Sequence, residues 1–170
     1  MISALIFLPS CTKPVKIPTS GTVTINNILK MDPKTQAYYS NGFLFSTGSI
    51  VSSLSVPGPD VNIINDGTTG DLILATNNFQ NSFYKAGTYA SAAVAKTVFD
   101  TLSAPVVNQW AVWADSLKAG QVWIYKSGDE HYSKIRIVST ISEMRSGTAY
   151  SECTFDWVYQ PDGSLTFPVK

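Results

Sequence analysis

Ser151-Glu-Cys-Thr-Phe-Asp-Trp-Val-Tyr159 alternates Cys153, Phe155, Trp157 and Tyr159 with Glu152, Thr154, Asp156 and Val158. Successive side chains on a strand point to opposite faces, so one face here is aromatic and apolar and the other mostly polar. That is the pattern of an antiparallel sheet with one wet side. A helix would scatter the same aromatics around its circumference. In Gln121 to Lys126, Val122 and Ile124 oppose Trp123 and Tyr125. Both faces are apolar, so this strand is expected to be covered on both sides. Ser127-Gly-Asp-Glu-His131 follows as a polar, Gly-containing turn. Tyr132 to Val138 then sets Ile135 and Ile137 inward and Lys134 and Arg136 outward. Gln160-Pro-Asp-Gly163 has the order a tight turn favours, and Leu165 and Phe167 read as a last short strand. Gln121 to Phe167 therefore predicts a C-terminal β-meander.

Working outward, the chain has 170 residues, enough for one core that buries roughly 70% of the unfolded surface. A single domain is the expectation. Twelve Lys and Arg balance twelve Asp and Glu, and no basic run is present. A nucleic-acid partner, whose phosphates call for a basic face, is not expected. Two cysteines, Cys11 and Cys153, are too few for a disulfide framework or a zinc site. The one histidine, His131, excludes a His-pair metal site within one chain.

Residues Ile2 to Leu8 are nearly all apolar, too few to span a bilayer, and lead into Leu8-Pro9-Ser10-Cys11. The stretch 1–10 reads as the end of a secretory signal peptide whose basic n-region is missing. Leu-Pro-Ser-Cys resembles a bacterial lipobox, which makes Cys11 the lipidated residue and 11–21 the lipidated Cys with its tether. Pro14, Pro18 and Gly21 suit that linker role. The β-rich domain is then 22–170. With Cys11 acylated, Cys153 is expected to be an unpaired, inward-pointing thiol that acts as a small hydrophobe.

Inside the domain, Thr22 to Leu29 alternates Val23 and Ile25 with polar residues and reads as an early strand, and Met31-Asp-Pro-Lys34 is a turn. Gly42 to Gly48 and then Ile50-Val51 give a strand, a turn and a short continuation, and Asp60 to Asn65 and Asp71 to Ala75 read as further strands, with Asn65 to Gly70 as turn chemistry between the last two. Asn77 to Gly87 reads as a loop. Ser91 to Ser103 is Ala-rich, with Val94, Val98 and Leu102 four apart, which predicts a helix ended before Pro105. Val106, Trp110, Trp113, Ala114 and Leu117 follow a second helical stripe, with a helix end at Lys118 and Gly120. The expected fold is mainly β: an antiparallel sheet or sandwich with the C-terminal meander and one or two short central helices.

Groups for catalysis are thin. Asp129-Glu130-His131 places two acids beside the only histidine, but in a hairpin turn, where charges are normally solvated. No nucleophile elbow, His-Glu-x-x-His run or phosphate-cradling loop is present, and nothing places Glu143 and Glu152 at a cleft. A non-enzyme is expected.

Val122-Trp-Ile-Tyr-Lys126, Gly128, Tyr132-Ser-Lys-Ile-Arg-Ile137 and Thr154-Phe-Asp-Trp-Val-Tyr-Gln160 resemble the end of HmuY-family lipoproteins. Phe43-Leu-Phe-Ser-Thr-Gly48 with Ile50-Val51 resembles that family's early strand and Thr-Gly turn. Together these cover about half of the chain. The resemblance implies a β-dominated lipoprotein anchored in the outer membrane of a Gram-negative bacterium. Its best-known members capture haem without catalysis, the iron held by a His pair or a Met pair. This chain departs there. It has His131, and outside the signal only Met31 and Met144, none of which aligns with the family's ligand positions. It also carries Pro59 before Asp60, where many relatives have Trp.

Three readings follow. A lipid-anchored binding protein for haem or another hydrophobic small ligand predicts a pocket reached by His131 or Met144. Met144 is placed in a loop, Ser142 to Ala149, between two strands, and a mixed His131 and Met144 pair is one way the iron could be held. An adhesin-like or glycan- or protein-binding module predicts Trp110, Trp113 or Tyr89 exposed on one platform. An enzyme predicts Asp129, Glu130 and His131 on the floor of a cleft.

Overall fold

A computed structural model describes residues 17–76 and 80–169. The expected signal peptide, Cys11 and most of the tether lie outside the described residues. Among the described residues, the fold is mainly β with antiparallel sheets and one α-helix. Among the described residues, no helix is long and apolar enough to cross a membrane.

Three of the four expected strands of the meander form where their alternation predicts. Strands β10 (Gln121–Lys126), β11 (Tyr132–Arg145) and β12 (Thr148–Gln160) run antiparallel in succession. β1 (Ser20–Asn26) adds outside β12, and β8 (Phe83–Thr88) outside β10, giving the order β1-β12-β11-β10-β8. Cys153, Phe155 and Trp157 project from one face of this sheet, with Ile25, Trp123, Tyr125, Ile135 and Ile137. A second layer covers them. It comprises the hairpin β4 (Asn41–Leu44) and β5 (Ser49–Ser52) and the small sheet of β6 (Asn62–Asn65), β7 (Leu72–Ala75) and β9 (Trp113–Ala114). Phe43 and Phe45 dock edge-on or tilted against Phe155, Trp157 and Tyr125 at centroid distances of 5.0–6.4 Å. Gly42 lets that layer close: a Cβ there would come within 2.3 Å of Asn62 and 2.4 Å of the Val61 carbonyl. Two short strands, β2 (Lys30–Met31) and β3 (Tyr38–Tyr39), form a separate hairpin.

Helix α1 (Ala92–Thr101), capped by the Ser91 hydroxyl accepting from the Val94 N–H, packs on the opposite face of the large sheet. Phe99 meets Val122, Ile124, Val158 and Phe167 there. This third layer corrects one expectation. Lys134 and Arg136 do point away from the main core, but not to solvent: they are 1% and 9% exposed. Lys134 Nζ donates to the Leu102 and Pro168 carbonyls at 2.9 and 3.3 Å, so it ties the end of the helix to the C-terminal tail. Arg136 donates through Nε and Nη2 to Asp156 Oδ2, and the Thr22 hydroxyl on the outer strand donates to Asp156 Oδ1.

Other expectations are also corrected. The second helical stripe is not a helix: Ala111 bridges Phe83, and β9 pairs with Leu74 and Ala75. The chain there must cross the end of the sandwich, and each ladder bond it makes replaces one a helix would have made. Asn77 to Gly87 is not loop throughout, because β8 completes the sheet edge that β10 needs. Leu165 and Phe167 form no strand; Phe167 is buried against α1, and its N–H donates to the Ser103 carbonyl. Ser20 and Gly21, which the sequence placed in the expected tether, already pair with Val158 and Trp157 as part of the sheet.

Candidate functional site

Strands β11 and β12 run well past the rest of the sheet. β10 pairs with β11 only as far as Arg136, and β1 pairs with β12 only as far as Glu152. Beyond a bulge between Ile137 and Ser139, the two strands pair with each other alone, up to Arg145 and Thr148. The loop expected over Ser142 to Ala149 is instead this hairpin and its two-residue turn. Ser146 and Gly147 both have positive φ, 48° and 80°, the geometry of the tight turn that matches strand twist.

Asn27 clips the arm where β1 stops. Its side chain accepts from the Ser151 N–H and donates to the Ala149 carbonyl, both at 2.9 Å, while its own N–H donates to the Ser151 carbonyl. One side chain thus continues the ladder. The chain then turns out through Ile28 and Leu29, leaving a groove of about 470 Å³ between them and the arm. Its walls are mostly apolar, from Ile28, Leu29, Ala149 and Tyr150, with Arg145 at the rim. Ile28, Leu29 and Met144 are 47%, 66% and 68% exposed, an unusual concentration of open apolar side chains at one end of a protein.

The rim is polarised. The Arg145 guanidinium lies 3.3 Å from the Tyr150 ring centroid, and its Nε donates to Glu143 Oε1 at 2.6 Å. That carboxylate raises the Arg145 pKa further. The Tyr150 hydroxyl donates to Glu152 Oε2 at 2.5 Å, which raises the phenol's pKa. A fixed cation beside an apolar trough suits a ligand with an apolar body and an anionic group.

The structure separates the other expected site residues. His131 precedes β11 and Met144 nearly ends it, so thirteen strand steps, roughly 40 Å, lie between them. They cannot hold one ligand. His131 Nδ1 stands 3.1 Å from Asp129 Oδ2 in the β10–β11 turn, and its ring lies 6.1 Å from that of Tyr159. Trp110 stacks on Tyr132 at 6.1 Å in the helix-side cluster, which Tyr89 also joins. Trp113 sits on β9 in the other layer and is 44% exposed. The two tryptophans share no platform. Cys153 is buried in the main core, and burial pushes its thiol up to about 12. Glu143 and Glu152 each serve a neighbour on the arm.

Among the described residues, no group of three or more His, Cys, Asp or Glu side chains could hold a metal ion. A haem held between His131 and Met144 does not fit these positions. Sequence reading missed Ile28, Leu29, Arg145 and Tyr150; Ile28 and Leu29 were read as the end of the early strand, which stops at Asn26. No protein family matches the chain, and neither a curated protein nor a solved structure shows detectable similarity to it. The site therefore rests on its own geometry.

Proposed function

We propose that this is a lipid-anchored, non-enzymatic binding protein of HmuY-like type, and that it takes an apolar small ligand bearing an anionic group in the groove at the hairpin tip. The observation that carries the reading is the groove itself: open, apolar, of small-molecule size, with Arg145 fixed at its rim. The course of the first described residues supports the arrangement. Thr19 and Ser20 join β12 at its Tyr159 end, far from the arm's turn. A lipid on Cys11 would hold that end near an outer-membrane surface and present the tip outward.

Porphyrins are one member of this ligand class, since they combine a flat apolar ring with carboxylates. Met144 is the thioether nearest the turn, and Met31 lies two residues beyond Leu29. The test is a parallel titration of the protein with haemin, followed by its Soret band, and with metal-free protoporphyrin, followed by fluorescence. Saturable binding of both, weakened tenfold or more by Leu29→Asp and unchanged by His131→Ala, is the expected result. Tighter binding of haemin that Met144→Ala abolishes would add thioether ligation. Absence of saturable binding for either compound, or indifference to Leu29→Asp, would overturn the reading.

A further inference from the structure

The two edges of the five-stranded sheet are finished in different ways. β8 is blocked. Lys85 stands in it, its register with β10 shifts between Val122 and Trp123, and Ala111 bridges Phe83 on its other side. Charges, bulges and covering segments are the usual means of keeping a sheet edge from pairing further. β1 has none of them. Ser20–Asn26 contains no charged residue and no proline, and it pairs with β12 in unbroken register. The Tyr159 N–H donates to the Thr19 carbonyl and the Asn27 N–H to the Ser151 carbonyl, so the odd-numbered residues of this edge bond β12. The backbone groups of Ser20, Thr22 and Thr24 therefore point outward. Among the described residues, nothing bonds them.

An independent observation points to the same place. A pocket of about 340 Å³ opens beside this edge, with Gly21 and Val23 on one side, Gly48 and Ile50 of the β4–β5 hairpin on the other, and Phe43 and Trp157 as its floor. No charged residue contributes to its wall. The two glycines keep it open. A Cβ on Gly21 would stand 3.3 Å from Trp157 Nε1, and one on Gly48, whose φ is 61°, 3.0 Å from the far edge of the same indole. Trp157 is 3% exposed, and no described residue accepts a hydrogen bond from its Nε1–H. Buried indole N–H groups normally have a partner; that of Trp123, in the same core, donates to Gln121 Oε1 at 3.1 Å. The floor of the pocket thus holds an unpaired donor.

We propose that an extended, uncharged peptide segment of a partner protein adds to β1 as a further strand, with one side chain seated over Trp157. A row of outward N–H and C=O groups at strand spacing is matched by another extended main chain, and the addition continues the order of the sheet. Side chains of the added strand alternate, so every second one turns toward the pocket. The uncharged wall suits an uncharged side chain with an aliphatic body against Val23 and Ile50 and an oxygen that accepts from the indole N–H, as in threonine or glutamine. A second copy pairing through its own β1 supplies no such side chain, because its Val23 and Ile25 already pack into their own core. The pocket shares no residue with the tip groove, so the two proposals stand or fall separately.

The experiment is an NMR titration of the isotope-labelled full chain with the end-capped hexapeptide Thr-Val-Thr-Gln-Val-Thr. A second titration uses the same peptide N-methylated at every internal amide, which keeps the side chains and loses the backbone donors. Saturable shifts are expected for the Trp157 indole N–H, identified by its loss in Trp157→Phe, and for the Thr22 and Thr24 amides. The methylated peptide should bind at least tenfold more weakly. Gly21→Val fills the pocket over the indole and should weaken binding tenfold or more. Thr22→Pro removes an outward N–H at an edge position, where proline is tolerated, and should do the same. Leu29→Asp should leave the affinity unchanged. No saturable binding, equal binding of the methylated peptide, an unmoved Trp157 signal, or an unchanged affinity in Gly21→Val would overturn the proposal. So would a stable dimer in light scattering that Thr22→Pro dissolves, because a second copy would then hold the edge. The Gly21→Val result decides even if Thr22→Pro unfolds the protein.

Discussion

The two ends of the β11–β12 hairpin are built from the same two strands and behave as opposites. Near Tyr132 and Tyr159 the pair is flanked by β10 and β1 and covered on both faces. There Asp60 and Tyr125 form a buried polar contact, and even Lys134 is enclosed. Near Met144 and Ala149 the pair is bare, and Asn27 alone extends the ladder. The enclosed end stores polar groups that packing holds in place. The bare end exposes apolar groups that nothing in the described chain covers. Strand pairing is common to both; the difference is made by the layers laid over them.

The sharpest way to break the comparison is Phe155→Ala. Phe155 is fully buried and touches both Phe43 and Phe45. Its loss should cost ~3–5 kcal/mol, read from urea unfolding, and should loosen both ends together. Asn27→Ala should separate the ends. Removing its hydrogen bonds to residues 149 and 151 should cost ~1–2 kcal/mol. Amide exchange should accelerate on the arm and stay unchanged at Tyr125 and Ser133. Equal acceleration at both ends would refute the idea of an independently anchored arm.

Asp60 sharpens the comparison through pH. Burial raises its folded-state pKa, so the folded protein keeps this proton to higher pH than the unfolded chain does. The stability tied to Asp60 is therefore fully present below the unfolded value of about 3.9 and is lost as pH rises through the raised folded value. The difference in unfolding free energy between the native protein and Asp60→Asn should shrink progressively from pH 4 upward. A difference flat with pH would show that the carboxyl is not perturbed.

Cys153 gives a smaller and purely local effect. With its thiol pushed up to about 12 and the side chain fully buried, it should resist iodoacetamide at pH 8 while folded and react promptly in urea. The smallest expected change is Met144→Ala. An exposed side chain at the bare end should shift stability by no more than ~0.5 kcal/mol, so any large effect on porphyrin binding would be specific to the site.

Much of the large sheet was legible because alternation is a local property. Cys153, Phe155 and Trp157 point inward as their spacing requires, and the turn at Ser127 to His131 forms where its polar residues stand. The stripe from Val106 to Leu117 misled because large apolar residues three or four apart satisfy a helix and a winding crossover equally well. Only the need of β7 for a partner selects the second. The pairing of His131 with Met144 failed for a related reason. Thirteen residues look close in sequence, but an extended strand carries them to opposite ends of the molecule.

The amino-acid sequence by itself determined the strands of the meander, the helix after Ser91 and the inward face of β12, because period and turn chemistry act within a few residues. Only the tertiary structure decided that Lys134 and Arg136 are enclosed, that the hairpin outruns its neighbours, and that Ile28, Leu29 and Arg145 share a groove while Gly21, Gly48 and Trp157 share another. Those outcomes depend on which layers cover which stretch of strand. Such coverage is set by contacts between residues far apart in the chain, which no local pattern encodes.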